Sequence, residues 1–184
     1  SHDLDKLMVI SCQLHPAGSS RLFAAVHESN LSTLTFHSPE MSQSSHTHPS
    51  IDNAAVLKLS ESMPLSLTHL RLMNTDMNAT SFAAICAALG NVERLDIDVH
   101  RNGKLWYLAT DATDGAEAIG TGGEALRQVL LTNKTLTRLN INDTGLNVTV
   151  TTALAGALAL NTTLKEVKGL GPDHDRSRPE YEGL

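Results

Sequence analysis

The sequence predicts an α/β chain built as a curved solenoid of five to six strand–helix units, with residues 1–184 forming one domain. Three observations lead there. A phrase of the form Leu-x-x-Leu-x-(Leu/Ile) recurs along the chain, clearest at Leu136, Leu139 and Ile141. Between phrases the apolar period changes from 2 to 3.6, as expected for a strand followed by a helix. The composition is 41% hydrophobic but only 3% aromatic, so the core must be built from Leu, Ile, Val and Ala, which suits similar small layers stacked on one another.

The units follow in order. The first phrase is Leu4, Leu7 and Val9, and Leu22 and Val26 share one face of the helix after it. The second is Leu31, Leu34 and Phe36. The third is Leu67, Leu70 and Leu72, followed by a helix bearing Phe82, Ile85 and Leu89. The fourth is Val92, Leu95 and Ile97, with Leu126, Val129 and Leu130 on its helix. The fifth is Leu136, Leu139 and Ile141, with Val150, Leu154 and Leu158; the sixth, Leu164 and Val167, fades at Gly169. The units therefore start at 4, 31, 67, 92, 136 and 164, and three of the steps span 25–28 residues. The two longer steps carry insertions at 38–50 and 99–122. Alanine fills much of the remaining helix surface, and Asn30, Pro64, Asn91, Asn133 and Asn161 end the units. Residues 169–184 hold Gly, Pro and mixed charge without periodicity and form a tail. Ser1-His2 looks like an expression-tag remnant, which would make the chain a piece of a longer protein.

These phrases, above all Asn133 to Ile141 and Asn161 to Val167, resemble the leucine-rich repeat family, in the long, helix-bearing class found in ribonuclease inhibitor. The resemblance covers about residues 4–170. It implies a parallel sheet on the concave side, helices on the convex side, and a surface for binding. The family includes inhibitors, GTPase-activating proteins, actin-capping proteins and immune sensors, so fold alone does not fix the function. The expectation is a non-enzymatic protein–protein interaction module or scaffold. A regulatory protein of the GTPase-activating or actin-capping kind is the first alternative. The chain departs from the family at the Asn or Cys position after each strand, which is occupied by Cys12, Pro39, Thr75, His100 and Thr144. Only Cys12 conforms, although Thr75 and Thr144 keep hydroxyls able to bond backbone groups.

In such strands the leucines face inward and their neighbours face out. Equivalent outward positions then form lanes across the sheet, one of them reading Lys6, Thr33, His69, Arg94, Arg138 and Glu166. This lane is basic in its middle, and beside it Arg71 and Asp96 are placed to pair across neighbouring strands. The Asn102-Gly103 dipeptide signals a hairpin in the second insertion, with Trp106 and Tyr107 on its return arm. The candidate partner-binding surface is His69, Arg71, Arg94, Asp96 and Arg138, together with the rim residues Trp106 and Tyr107. If both insertions leave the same edge of the sheet, they flank a notch bordered by His37, Met73 and Asp98.

Other chemistry is less well supported. The formal net charge of −6 gives no reason to expect nucleic acid or an anionic membrane as the main ligand. Cys12 and Cys86 match no metal spacing and form no disulfide framework, which favours a reducing, cytoplasmic setting. No apolar run is long enough for a membrane span. Asp96, Asp98 and His100 alternate and define a second alternative, a metal-dependent hydrolase. His46 and His48, with His37, form a weak zinc signal. Gly120, Gly122 and Gly123 lack the Lys-Ser/Thr of a nucleotide loop, and no serine-hydrolase or zinc-protease motif occurs. No catalytic residue, metal ligand or cofactor is therefore assigned, and the partner is another protein. Six Asn-x-Ser/Thr sequons, at Asn30, Asn78, Asn133, Asn142, Asn147 and Asn161, leave an extracellular glycoprotein open.

Overall fold

The computed structural model describes residues 4–10, 16–37, 51, 53–75, 77–91, 95–102, 105–106 and 119–170. Strands and helices alternate through them: β1 (Lys6–Ile10), α1 (Pro16–His27), β2 (Thr33–His37), α2 (Asn53–Glu61), β3 (His69–Met73), α3 (Ala79–Ala88), β4 (Leu95–Asp98), α4 (Gly120–Thr132), β5 (Leu136–Asn140), α5 (Val148–Leu160) and β6 (Glu166–Lys168). A single 3-10 turn, Leu89–Asn91, follows α3. The strands form one six-stranded sheet in the order β1-β2-β3-β4-β5-β6, and every pairing is parallel. Neighbouring helices pack in the same order, α1 on α2 through to α4 on α5. The α/β class expected from the sequence is observed. Among the described residues no helix is long and apolar enough to cross a membrane.

Period-2 alternation decides which side chains enter the core. In β3, Leu70 and Leu72 are fully buried while His69, Arg71 and Met73 point to the open face. Leu34 and Phe36 do the same in β2 and Leu139 in β5. On the helices Phe82, Ile85, Leu126, Leu130, Val150 and Leu154 complete one apolar cluster with these strand residues. Each such side chain contributes about 1.5–3 kcal/mol on burial. α2 adds Ala55, Val56 and Leu59, a short face that the repeat phrases do not mark.

The ends of the strands are fixed by side chains. After β3, β4 and β5 the chain turns through a left-handed residue: Asn74 (φ 53), Arg101 (φ 60) and Asp143 (φ 54). The residue that follows, Thr75, Asn102 or Thr144, is buried. Thr144 donates its hydroxyl to the Ile141 carbonyl at 2.7 Å. Asn102 accepts from the Thr75 backbone and hydroxyl, both at 3.0 Å, and donates to the Leu72 and Val99 carbonyls at 2.6 and 2.9 Å.

This corrects the fourth unit in two ways. Asn102, rather than His100, occupies the post-strand position, two residues later than the repeat phrase placed it. Along the strand, Ile97 stands opposite Leu70 and Leu139, and Asp96 opposite His69 and Arg138. The buried pair at this level is Ile97 and Val99, where the repeat phrase put Leu95 and Ile97. The register shifts between Leu95 and Asp96, because β4 has one residue fewer than β5 before its second inward position. In the lane containing His69, the place assigned to Arg94 therefore belongs to Asp96.

Asn102, expected at a hairpin apex, has a side chain only 1% exposed and bonded into the protein, while the rest of that apex and most of its return arm lie outside the described residues. Beyond Asp98 the backbone continues alongside the chain that follows β5, with Val99 N–H donating to the Asn140 carbonyl and Arg101 N–H to that of Asn142. The neighbouring glycines serve packing. A Cβ on Gly122 would sit 1.7 Å from the Leu105 carbonyl oxygen, so α4 can approach that backbone only with glycine there.

Candidate functional site

The open face of the sheet carries the polar side chains that the core cannot accept. Register places them in lanes: Lys6, Thr33, His69, Asp96, Arg138 and Glu166 in one, and Met8, Thr35, Arg71, Asp98, Asn140 and Lys168 in the next. Over β3 to β6 these lanes line a shallow, open depression of about 200 Å³ that includes His69, Arg71, Asp96, Asp98, Arg138 and Lys168.

Asp96 is the hub of this depression. Its carboxylate accepts from the Thr137 hydroxyl and lies 3.3 Å from His69 Nε2 and 3.8 Å from Arg138 Nη1. Arg138 is 64% exposed and reaches across to Glu166 at 3.4 Å, and Glu166 lies 3.3 Å from Lys168 Nζ. Ion pairs this exposed contribute little to stability, roughly 0–1 kcal/mol each. They hold the long side chains in position and leave the β4–β6 half of the face close to electrically self-neutral.

Asp98 takes a different partner. His100 Nδ1 donates to its carboxylate at 2.6 Å, and the His100 backbone N–H donates to the same oxygen at 3.2 Å. Burial alone would raise this carboxyl. The hydrogen bonds and charge of His100, with a hydrogen bond from Asn140, outweigh it and hold Asp98 below the ordinary carboxylate range. Asp96 and Asp98 thus belong to separate groups, one facing His69 and Arg138 and the other facing His100. Among the described residues no group of three or more His, Cys, Asp or Glu side chains is placed to hold a metal ion.

Of the sequence-predicted contact residues, His69, Asp96 and Arg138 meet directly and Arg71 stands in the adjacent lane. Arg71 faces Asp98 across the strands, rather than Asp96. Arg94 and Tyr107 lie outside the described residues, as do His46, His48 and most of both insertions. Trp106 is a correction. It is only 1% exposed, packs edge-to-face on Phe82 at 5.7 Å, and donates its indole N–H to the Thr144 carbonyl at 2.7 Å. A side chain so enclosed is part of the core and not a rim anchor. Glu166 and Lys168 join the depression, and their outward places on the sixth strand were readable from the repeat.

The other half of the open face differs. Over β1 to β3 the outward residues are Lys6, Met8, Ile10, Thr33, Thr35, His37, His69, Arg71 and Met73, and none is acidic. Thr35 is 2% exposed, and its hydroxyl is buried with no hydrogen-bond partner. A larger groove, about 490 Å³, lies between α3 and α4, with Ala83, Ala87, Gly90 and Ala125 in its wall. Small side chains there offer few directional contacts. Cys86 in the same wall is a free thiol that burial pushes up, so it stays protonated. The open face is the better candidate because charges and hydrogen-bonding groups converge on it. Comparison with models of known protein families gives no match, and a search of curated proteins finds no matching relative.

Proposed function

We propose that this chain is a leucine-rich-repeat solenoid of the long, helix-bearing class and acts as a non-enzymatic module that binds another protein through the open face of its sheet. The observation that carries the reading is the in-register array on that face, with Arg71 exposed beside Asp98 and Arg138 exposed beside Asp96 and Glu166. Six parallel strands in chain order supply a fixed lattice, so a partner meets polar groups at set spacings without having to order them first. Complementary charges across such a surface give specificity and speed of association more than raw affinity. The free, buried Cys86 fits a reducing, cytoplasmic setting.

The test is capture on immobilised protein. Arg71→Glu and Arg138→Gln, separately and together, should reduce recovery of a specific partner while the thermal unfolding midpoint stays within a few degrees. Glutamine is chosen at position 138 so that a third carboxylate is not set against Asp96 and Glu166. A partner retained at full yield by the double variant would refute the open face as the binding surface.

A further inference from the structure

The open face is divided. In its β4–β6 half Asp96, Arg138, Glu166 and Lys168 neutralise one another. In its β1–β3 half, Lys6 and Arg71 have no ion pair among the described residues, and His69 turns away to Asp96. Exposed apolar side chains accompany these two cations, with Met8 60% and Ile10 45% exposed. Between Met8 and Arg71 in the same lane stands Thr35. Leu34 and Phe36 face the core, so Thr35 points to the open face, where its buried hydroxyl lacks an acceptor. The chain as a whole is acidic, at −6, yet no carboxylate stands among the outward residues of these three strands.

We infer that this half-face, formed by Lys6, Met8, Ile10, Thr35 and Arg71, receives an acidic segment of a partner protein in which carboxylates alternate with aliphatic side chains. This rests on the protein-binding reading above and names the partner's chemistry. Each alternative occupant leaves something uncompensated. A purely apolar partner would bury Arg71 and Lys6 unpaired, which is costly. A small anion would leave Met8 and Ile10 in water. A second copy docked face to face would set these cations against their own equivalents. An acidic, aliphatic segment pairs both cations and covers the apolar residues.

Fluorescence anisotropy with a short labelled peptide of alternating Glu and Leu tests this, against a Lys–Leu peptide of equal length. The expected result is saturable binding of the Glu–Leu peptide alone. Affinity should fall at least tenfold in Arg71→Glu and at least threefold in Met8→Ser, and stay within about twofold in Lys58→Ser, which changes helix α2 and not the open face. Thr35→Val should leave the affinity within about twofold while raising the unfolding midpoint, because it removes an unpaired buried hydroxyl from a strand that suits valine. Equal binding of the Lys–Leu peptide overturns the inference. So does indifference of the Glu–Leu peptide to Arg71→Glu and Met8→Ser, or concentration-dependent self-association that Arg71→Glu abolishes. If capture of a partner depends on Arg138 while the peptide ignores Arg71 and Met8, this inference falls and the wider reading stands. If neither responds, both fall.

Discussion

Asn102→Ala tests the assignment of the fourth unit. The Asn102 Oδ1 accepts from the Thr75 N–H and hydroxyl, each at 3.0 Å, and from the Met77 N–H at 3.3 Å, while its Nδ2 donates to the Leu72 and Val99 carbonyls at 2.6 and 2.9 Å. The side chain is 1% exposed, so water is not at hand to replace it. Truncation leaves two backbone N–H groups and two carbonyls short of a partner, and the Thr75 hydroxyl is free to rotate elsewhere. A buried polar group left without its partner costs about 1–3 kcal/mol. At the lower end for each of the four, the loss is about 4 kcal/mol, a large part of the roughly 5–15 kcal/mol that holds a domain together. Urea titration followed by circular dichroism, extrapolated linearly to zero denaturant, measures it. His100→Ala is the control, because His100 occupies the position that the repeat phrase points to. The His100 side chain bonds to the partly exposed Asp98, so its removal should cost under about 1.5 kcal/mol. A loss below about 1 kcal/mol for Asn102→Ala, or a larger loss for His100→Ala, would refute the assignment.

Three further outcomes are expected. Trp106→Ala should destabilise the protein by about 3–5 kcal/mol in the same titration, yet leave affinity for an open-face ligand unchanged wherever the variant is folded. A selective loss of binding would return Trp106 to the surface. Gly122→Ala should cost about 1–3 kcal/mol, since its Cβ would meet backbone atoms of Leu105 at 1.7 and 2.8 Å and α4 would have to shift; an unchanged midpoint would show that the close approach is absent. For His37, burial first and then the charges of His100 and Arg101 hold the imidazole below its usual 6.5. The unfolded chain then takes up the proton before the folded one does. The stability this residue contributes is therefore complete above about pH 6.5 and declines as pH falls through the folded value. His37→Gln should flatten that part of a stability–pH profile, and an unchanged slope would sink the assignment.

The fold was legible where local pattern and packing agree. Leu70 and Leu72, or Leu139 and Ile141, stand two apart, and the same spacing returns them to one face of a strand. Helix faces such as Phe82 with Ile85, or Val150 with Leu154, repeat at helical spacing and enter the same core. The fourth unit was misread because its first phrase is one residue short. Leu95 and Ile97 satisfy alternation as well as Ile97 and Val99 do, and only hydrogen bonding across to β3 and β5 chooses between them. Asn102-Gly103 carries a strong hairpin signal, yet Asn102 is buried among five carbonyl and N–H partners, and three of them, at Leu72, Thr75 and Met77, come from a distant segment that dipeptide statistics do not see. The candidate site inherited that slip. A two-residue shift exchanged Arg94 for Asp96 at the centre of a lane, turning an expected basic stripe into a network of alternating sign.

The asparagines that end the units resolve an ambiguity in the same physical way. Asn133 and Asn161 each begin an Asn-x-Thr sequence, which also spells a glycan acceptor. In the structure Asn133 Nδ2 donates to the Leu89 carbonyl at 3.2 Å, while its Oδ1 accepts from the Thr135 and Leu136 N–H groups at 2.8 and 2.6 Å. Asn161 repeats this one unit on, donating to the Leu130 carbonyl at 2.6 Å and accepting from Thr163 and Leu164 at 3.0 and 2.7 Å. The threonine completes each motif, its hydroxyl 3.1 and 3.3 Å from the same Oδ1. The amide thus ties one helix end to the next strand at both joints, and Asn133 is 8% exposed. A glycan would replace the second hydrogen of Nδ2, and at Asn133 the surrounding layer would have to open to admit it. At these two positions the Asn-x-Thr spelling follows from what a tight helix-to-strand joint requires: an amide facing both ways and a hydroxyl beside it.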